Sequence, residues 1–254
     1  MSKIIVIFGL VFVCTGILRA QATGGQDCQE EKAKVAKDEA QLRDWAQLGR
    51  YGAADLQVIS PLPTENRVVF MGDSITDGWN LAAFFPAKSY INRGISGQTT
   101  PQMLIRFRPD VIALKPKVVV ILAGTNDLAG NTGPTTLDTI EGNLASMVEL
   151  ARANNIRVVL SSVMPVSDQI KNKEGAPIIQ TVNRPPKKIQ ALNAWLRKYT
   201  TDHNLIYLDY YSAMIDAQGN LKEALTYDGL HPNENGYKVM QPLAESAISA
   251  ALRK

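Results

Sequence analysis

The chain has 254 residues, of which 45% are hydrophobic, and its formal net charge is +3. A chain of this length can bury a large core without help from disulfides or metals. The nearly balanced charge gives no basis for binding to nucleic acid or to an anionic membrane, so no nucleic-acid partner is predicted.

Residues 1–22 have the pattern of an export signal. Lys3 provides a positive start, residues 4–13 form an apolar run, and Ala20-Gln21-Ala22 offers a small-x-small cleavage site. The run is shorter than the roughly 20 apolar residues that a membrane span needs. The sequence therefore predicts export to the periplasm or the extracellular space, without stable membrane insertion after cleavage.

Two other interpretations of the amino-terminal segment stay open. The segment could remain uncleaved as an anchor, or Cys14 could carry a lipid, although the bulky Val13 before it disfavours the lipid. Cleavage after Ala22 removes two basic residues and no acidic one, which leaves 25 basic against 24 acidic residues. Cys28 is then the only remaining cysteine, so no intramolecular disulfide is predicted.

The next segment, 23–66, is predicted to precede the main domain. Residues 27–49 are charged and alanine-rich with apolar residues near helical spacing, which favours an amphipathic helix on the outside of the domain, ended by Gly49 and Gly52. Residues 53–66 are interpreted as a linker. Residues 67–254 form the predicted domain.

Strand and helix patterns alternate through that domain. The predicted strands are 68–71, 89–92, 117–122, 156–161 and 205–208. One predicted helix begins near residue 99 and continues to residue 108. The other predicted helices cover 137–153, 187–201 and 233–252. The strands are solid apolar runs, which is typical of a parallel sheet covered on both faces, so we predict a single α/β domain.

Side chains suited to ester hydrolysis follow several of these strands. Ser74, after Gly72, is a candidate nucleophile, and His231 can accept its proton. Asp228, three residues before His231, can orient the imidazole. The backbone N–H groups of Ser74 and Gly94 and the side-chain amide of Asn126 are candidate donors to the oxyanion. The carboxyl ends of parallel strands share one edge of a sheet, so these groups are expected to meet there.

Four short motifs carry a resemblance to a known family. They are Gly72-Asp73-Ser74-Ile75, Gly94 in Asn-Arg-Gly-Ile-Ser-Gly, Gly124-Thr125-Asn126-Asp127 and Asp228-Gly-Leu-His231-Pro. In this order and spacing they resemble the four blocks of the SGNH (GDSL) hydrolases over residues 66–250. The absence of a G-x-S-x-G elbow disfavours the different α/β-hydrolase fold.

The resemblance implies a flavodoxin-like, three-layer α/β/α fold whose five strands have the order 2-1-3-4-5. It also implies Ser74 as nucleophile, His231 as base, Asp228 as its partner, and Gly94 and Asn126 as oxyanion donors. The function it implies is hydrolysis of short acyl esters, with O-acetyl groups on carbohydrates as the leading substrate. A lysophospholipase or thioesterase is the alternative enzyme, and a non-catalytic binding module is the alternative outside enzymes.

The remaining polar and aromatic residues have mainly structural interpretations. Asp73 and Asp77 lack a third oxygen cluster, so no metal or other cofactor is predicted. Asp73 and Asp127 are interpreted as structural hydrogen-bond acceptors. Core packing is favoured over an acyl pocket for Trp79 and Phe84-Phe85. The long irregular insert at 164–186 is predicted to be a lid or binding loop.

Overall fold

The computed structural model describes residues 28–36, 39 and 42–254 of the chain. The predicted signal segment, with Cys14, lies outside these residues. The structure divides into a first unit that ends at Trp45 and a second unit from Ala46 to Lys254. Residues 28–36 are helical, within the predicted helix 27–49, but residues 44–48 are not helical, so the predicted helix extends too far.

The second unit begins with a helix where the sequence predicts a helix end and a linker. Helix α1 is Gly49–Asp55, so the prediction was wrong for these residues. Each exposed glycine in a helix costs only about 1 kcal/mol relative to alanine, and two tertiary contacts offset that cost. The Tyr51 hydroxyl donates to the carbonyl of Gly94, and Asp55 pairs with the buried Arg93.

The described residues form one five-stranded sheet. Its strands are β1 (Val68–Gly72), β2 (Tyr90–Gly94), β3 (Val118–Leu122), β4 (Arg157–Ser161) and β5 (Ile206–Leu208). The order across the sheet is β2-β1-β3-β4-β5, and every neighbouring pair is parallel. The predicted fold class and strand order are confirmed.

Helices of very different lengths connect the strands. The short ones are α2 (Ser74–Asp77), α3 (Leu81–Phe84), α5 (Thr125–Leu128) and α8 (Tyr210–Met214). The long ones are α4 (Thr100–Asp110), α6 (Leu137–Ala153), α7 (Pro186–Asp202) and α9 (Glu234–Arg253). Single 3-10 turns occur at Ile112–Leu114 and Glu223–Leu225.

Alternate residues of each strand enter two separate apolar layers. On one face Val69, Met71 and their counterparts on β3 and β4 pack with buried residues of α4, α6 and α7. On the other face Val68 and Phe70 pack with α9 and with an aromatic group that includes Trp79 and Phe85. This alternation follows from the period of two in a strand, and it produces the three layers.

The aromatic residues after Ser74 belong to the core. Trp79 and Phe85 are only 3% and 2% exposed, and both rings contact Phe70. The core-packing interpretation of these two residues is therefore confirmed. Tyr237 of α9 stacks on Trp79 and donates to the carbonyl of Ile75, which ties the carboxy-terminal helix to the segment that carries Ser74.

Candidate active site

Ser74 lies at a sharp change of direction between β1 and α2. A Cβ atom on Gly72 would lie 2.1 Å from Thr76 Oγ1 and 2.9 Å from the carbonyl of Leu122, so only glycine fits where the strand ends. Asp73 then caps α2 by accepting from the backbone N–H of Ile75 at 2.9 Å. Ser74 is the first helical residue and is partly exposed, so its hydroxyl is accessible at the sheet edge.

His231 and Asp228 lie on the loop before α9. Asp228 Oδ1 accepts from the backbone N–H groups of Leu230 and His231 at 2.9 and 2.7 Å. Gly229 has a φ of +82°, and a Cβ there would lie 2.0 Å from the carbonyl of Ser167. A larger residue at 229 would therefore disturb both the loop and its contact with the insert.

A continuous hydrogen-bonded chain joins the three predicted catalytic residues. His231 Nε2 lies 2.9 Å from Ser74 Oγ, and His231 Nδ1 lies 2.6 Å from Asp228 Oδ2. Because a carboxylate only accepts, Nδ1 carries the proton and Nε2 is free to accept from the serine hydroxyl. The geometry is that of a serine nucleophile with a general base and an orienting carboxylate.

The charge of Asp228 is stabilised in this loop. Burial by itself raises its pKa, but hydrogen bonds from the His231 side chain and from the backbone of His231 and Leu230 outweigh burial and lower the pKa of the carboxyl. Asp228 is therefore ionised at neutral pH. It can hold the imidazole in one tautomer and stabilise an imidazolium.

Asn126 lies in α5, after the end of β3. Its Nδ2 group donates to the carbonyl of Gln98 at 3.0 Å, and its Oδ1 accepts from Arg184 Nη2 at 3.3 Å. Within residues 42–254 no other partner contacts the second N–H of the amide. That N–H is available to a ligand, as the sequence predicts for an oxyanion donor.

Gly94 does not provide a free donor. Its N–H donates to Asn92 Oδ1 at 2.8 Å, so the prediction that it faces an oxyanion is not supported. The glycine is required for packing instead, because a Cβ there would lie 2.1 Å from the backbone nitrogen of Asp77. Strand β2 can thus pass directly against the segment that carries Ser74.

Gly97, three residues further on, has the property that was expected of Gly94. Its φ is +81°, and no hydrogen bond in the described part of the chain uses its N–H. Its carbonyl accepts from Asn131 at 2.9 Å, and the carbonyl of Gln98 accepts from Asn126. This loop therefore lies against the Asn126 amide, with the Gly97 N–H still unused.

Asp73 and Asp127 are buried acids beside the site. Burial raises the pKa of Asp73 to about 6, although the Ile75 backbone N–H and the charge of His231 oppose that effect. Asp127 accepts from both the N–H and the hydroxyl of Thr100. The structure confirms the predicted acceptor roles of both aspartates.

The predicted insert contacts the site from two sides. Within the insert, Asp168 Oδ1 accepts from the backbone N–H groups of Gln180 and Thr181 at 2.6 and 3.0 Å. The side chain of Gln180 leaves the insert, and its Nε2 donates to the carbonyl of Asp228 at 3.1 Å. Arg184, which is 9% exposed, reaches the neighbourhood of Asn126. The insert is thus an ordered part of the site's surroundings.

A cavity of about 530 Å³ lies between residues 127–140 and residues 182–188, and Ser74, Asn126, Asp228 and His231 are not among its lining residues. Its lining includes Asp127, next to Asn126, and Asn183, next to Arg184. Apolar side chains such as Leu128 and Val182 share this lining with polar ones such as Lys188. The cavity is mixed in character and does not form a purely apolar trench.

Comparison with protein-family models matches residues 70–239 to the GDSL-like lipase/acylhydrolase family. The chain belongs to this family. The match includes Ser74, Asn126, Asp228 and His231, and membership identifies the protein as an ester hydrolase.

Solved and curated proteins resemble the chain over most of its length. The crystal structure of a GDSL-like lipase from Bacteroides thetaiotaomicron has a TM-score of 0.74 and 42% identity, and covers 81% of this chain and 98% of its own. Platelet-activating factor acetylhydrolase IB subunit alpha2 from Homo sapiens is 26% identical and covers 71% of this chain and 76% of its own. An acetylxylan esterase from Geobacillus stearothermophilus is 24% identical and covers 68% of this chain and 90% of its own.

Another curated relative matches a shorter region. The uncharacterized lipoprotein YqeF from Bacillus subtilis is 31% identical over 118 residues, and the chain spans about half, 49%, of that relative's length. In the described residues no helix is both long enough and apolar enough to cross a bilayer.

Sequence reasoning missed three groups that contact or adjoin the site. The sequence predicts a loop that contains Gly94 and Gly97. It does not show where strand β2 ends, and therefore does not show which of the two glycines lies beyond the strand. Gln180 and Arg184 were part of an irregular insert, where periodicity gives no direction to a side chain. Their spacing of four residues was the one available signal, since it places both side chains on one side of a turn.

Proposed function

We propose that this member of the GDSL-like family is an exported serine esterase that hydrolyses short-chain carboxylic esters, foremost the O-acetyl esters of carbohydrates. Ser74 is the nucleophile, His231 the general base and Asp228 the residue that orients it. The backbone N–H of Ser74, the Asn126 amide and the Gly97 N–H, in place of the predicted Gly94 N–H, stabilise the oxyanion.

The observation that carries this proposal is the hydrogen-bonded chain from Ser74 to His231 to Asp228, whose two links measure 2.9 and 2.6 Å. Ser74 and His231 are 157 residues apart in sequence, so the fold, and not proximity along the chain, brings them together. Three residue types with complementary acid–base roles in this order are suited to acyl transfer.

The reaction follows from the positions of these groups. His231 Nε2 accepts the Ser74 proton as Oγ attacks the ester carbonyl, and the resulting oxyanion accepts from the donors named above. The imidazolium then protonates the leaving alcohol, which leaves an acyl group on Ser74. Water, deprotonated by the same imidazole, attacks the acyl-enzyme and releases the carboxylic acid.

The names of two relatives support acetylated carbohydrates as substrates. The acetylhydrolase and the acetylxylan esterase named above have names that refer to acetyl esters. The pattern of residues 1–22 and the lipoprotein among the relatives support export, which amino-terminal sequencing of the secreted protein tests.

Replacement of Ser74 tests the proposal. We expect Ser74→Ala to lower kcat for p-nitrophenyl acetate by about 10⁴-fold or more, because the covalent step is lost. Ser146→Ala is the matched control, since Ser146 is a serine of α6 that donates only to the carbonyl of Gly142, and its rate should equal that of the wild type. An unchanged rate in Ser74→Ala would remove the nucleophile assignment.

A series of acyl chain lengths, with acetylated sugars in parallel, tests the substrate class. The proposal expects kcat/KM to be highest for acetyl and to fall with each longer acyl group. A value of kcat/KM that keeps rising beyond octanoate would favour the lysophospholipase or thioesterase alternative. No hydrolysis of any ester by the wild-type protein would favour the binding module.

A further inference from the structure

A bridge of two side chains from the insert spans the candidate active site. Gln180 Nε2 donates to the carbonyl of Asp228 at 3.1 Å, and Gln180 Oε1 accepts from Arg184 Nη1 at 3.1 Å. Arg184 continues the connection by donating from Nε to Thr125 Oγ1 at 3.2 Å and from Nη2 to Asn126 Oδ1 at 3.3 Å. The bridge thus joins the loop of the general base to the helix of the oxyanion donor.

We propose that Gln180 and Arg184 are positioning residues for the esterase reaction. Through them, the insert holds the loop of the general base and the helix of the oxyanion donor in fixed positions relative to each other. The inference rests on the proposed function. It assigns the insert a role in kcat, which differs from the role of a lid that only admits substrate.

The effect of Arg184 on Asn126 follows from the two ends of the amide. Arg184 can only donate, so its contact fixes the Asn126 oxygen on its own side. The contact from Asn126 Nδ2 to the carbonyl of Gln98 then fixes one N–H, and the planar amide leaves the second N–H in a single direction. Catalytic stabilisation of an oxyanion depends on donors that are already aimed before the reaction.

The effect of Gln180 is on the opposite half of the site. Its amide holds the carbonyl of Asp228, while the Ser167 N–H donates to the carbonyl of the next residue, Gly229, at 2.8 Å. The side chain of Asp228 sets the imidazole plane of His231. A shift of this loop relative to Asn126 would change the position of the base relative to the oxyanion donor, and small misplacements of this kind reduce kcat strongly.

The electrostatic surroundings of Arg184 support a role that a neutral side chain could not fill. Burial lowers its pKa, and the charges of Asp73 and Asp228 oppose that effect. A buried guanidinium is retained only where its contacts compensate for desolvation. Here the compensating contacts are with the residues that surround the proposed reaction centre.

The test measures kcat and KM for p-nitrophenyl acetate in four variants of the full chain. We expect Arg184→Ala to lower kcat by about 10- to 100-fold, less than the loss of a whole oxyanion donor, with KM changed by less than about threefold. Gln180→Ala should lower kcat by about tenfold, and the double variant should lose less than the product of the two single losses because both belong to one bridge. Lys171→Ala, an exposed residue of the same insert, should match the wild type.

Chemical rescue distinguishes positioning from folding. Added guanidinium ion should restore part of kcat to Arg184→Ala and none to Ser74→Ala, since it can occupy only the vacated cationic position. Thermal unfolding of each variant confirms that the fold is retained. Where Arg184→Ala does not fold, the kcat of Gln180→Ala carries the test.

Three outcomes overturn the inference while leaving the proposed function intact, provided that wild type hydrolyses the ester and Ser74→Ala does not. They are a kcat in Arg184→Ala within about twofold of the wild type, a loss confined to KM, and fully multiplicative losses in the double variant. If Ser74→Ala hydrolyses as fast as the wild type, the proposed function itself fails.

Discussion

Asp73 is a residue whose charge the fold disfavours. It is completely buried, and within the described residues its Oδ2 atom has no hydrogen-bond partner. Burial raises its pKa from 3.8 to about 6. The carboxyl therefore binds a proton in the folded state at pH values where the unfolded chain has released it, so folding becomes less favourable as pH rises from about 4 to 6.

We predict that Asp73→Asn removes this pH dependence. Relative to the variant, the wild type should lose roughly 2 kcal/mol of unfolding free energy between pH 4 and pH 7, which is most of the amount that this change of pKa allows. Denaturant unfolding of both proteins at the two pH values measures the difference, and other titrating groups common to both proteins cancel. A difference that does not change with pH would show that Asp73 ionises normally.

Individual site residues were predictable where a short motif fixes the local backbone. Ser74 follows a glycine that ends a strand, and Asp228 and His231 are only three residues apart, so their roles could be inferred from the sequence. Gly94 was assigned incorrectly as a free donor because the sequence does not show that its N–H is used by Asn92. The Asn92 side chain is held there by donating to the carbonyls of Thr76 and Trp79, contacts that no pattern of apolar residues reveals.

Among the secondary-structure elements, α1 shows why the predicted linker was wrong. It contains two glycines and no buried residue, so composition alone favours a break. Its position depends on partners about 40 residues away, because Asp55 pairs with Arg93 and the Arg93 guanidinium also lies 4.5 Å from the centre of the Tyr51 ring. Such long-range contacts are invisible in a local window of sequence.

We predict that Asp55→Ala destabilises the protein by about 3 kcal/mol. Arg93 is buried, and removal of its acidic partner leaves a buried charge without compensation. Chemical denaturation of the variant measures the loss, with Glu174→Ala, at an exposed acidic residue of the insert, as the control. A loss below about 1 kcal/mol would mean that Arg93 is compensated by its other contacts.

The longer elements were predictable because their apolar periodicity is strong. Helix α6 matches the predicted 137–153. Helices α7 and α9 differ from their predictions by one residue at each end, and the strand β3 differs by one residue at its start. The short helices α3 and α8 were not predicted, since four or five residues provide too little periodicity. The existence of the insert was predicted, but the directions of Gln180 and Arg184 required coordinates.

The whole molecule is a parallel sheet that brings distant segments to one edge. The strand order β2-β1-β3-β4-β5 places β1 beside both β2 and β3, so the loops after these three strands are neighbours. Their loops carry Ser74, Gly97 and Asn126, and His231 lies on the loop before α9, which packs on one face of the sheet. Apolar patterning predicted the α/β class, whereas the order of the strands came from the family resemblance.

The central claim is that this arrangement makes Ser74 a nucleophile, and covalent labelling tests it most directly. The protein is treated with an organophosphonate that reacts with activated serines, digested, and analysed by mass spectrometry. We expect one adduct on the peptide that contains Ser74, none in Ser74→Ala, and much slower labelling in His231→Ala. An adduct on another residue, or ester hydrolysis that continues unchanged while Ser74 is fully labelled, would contradict it.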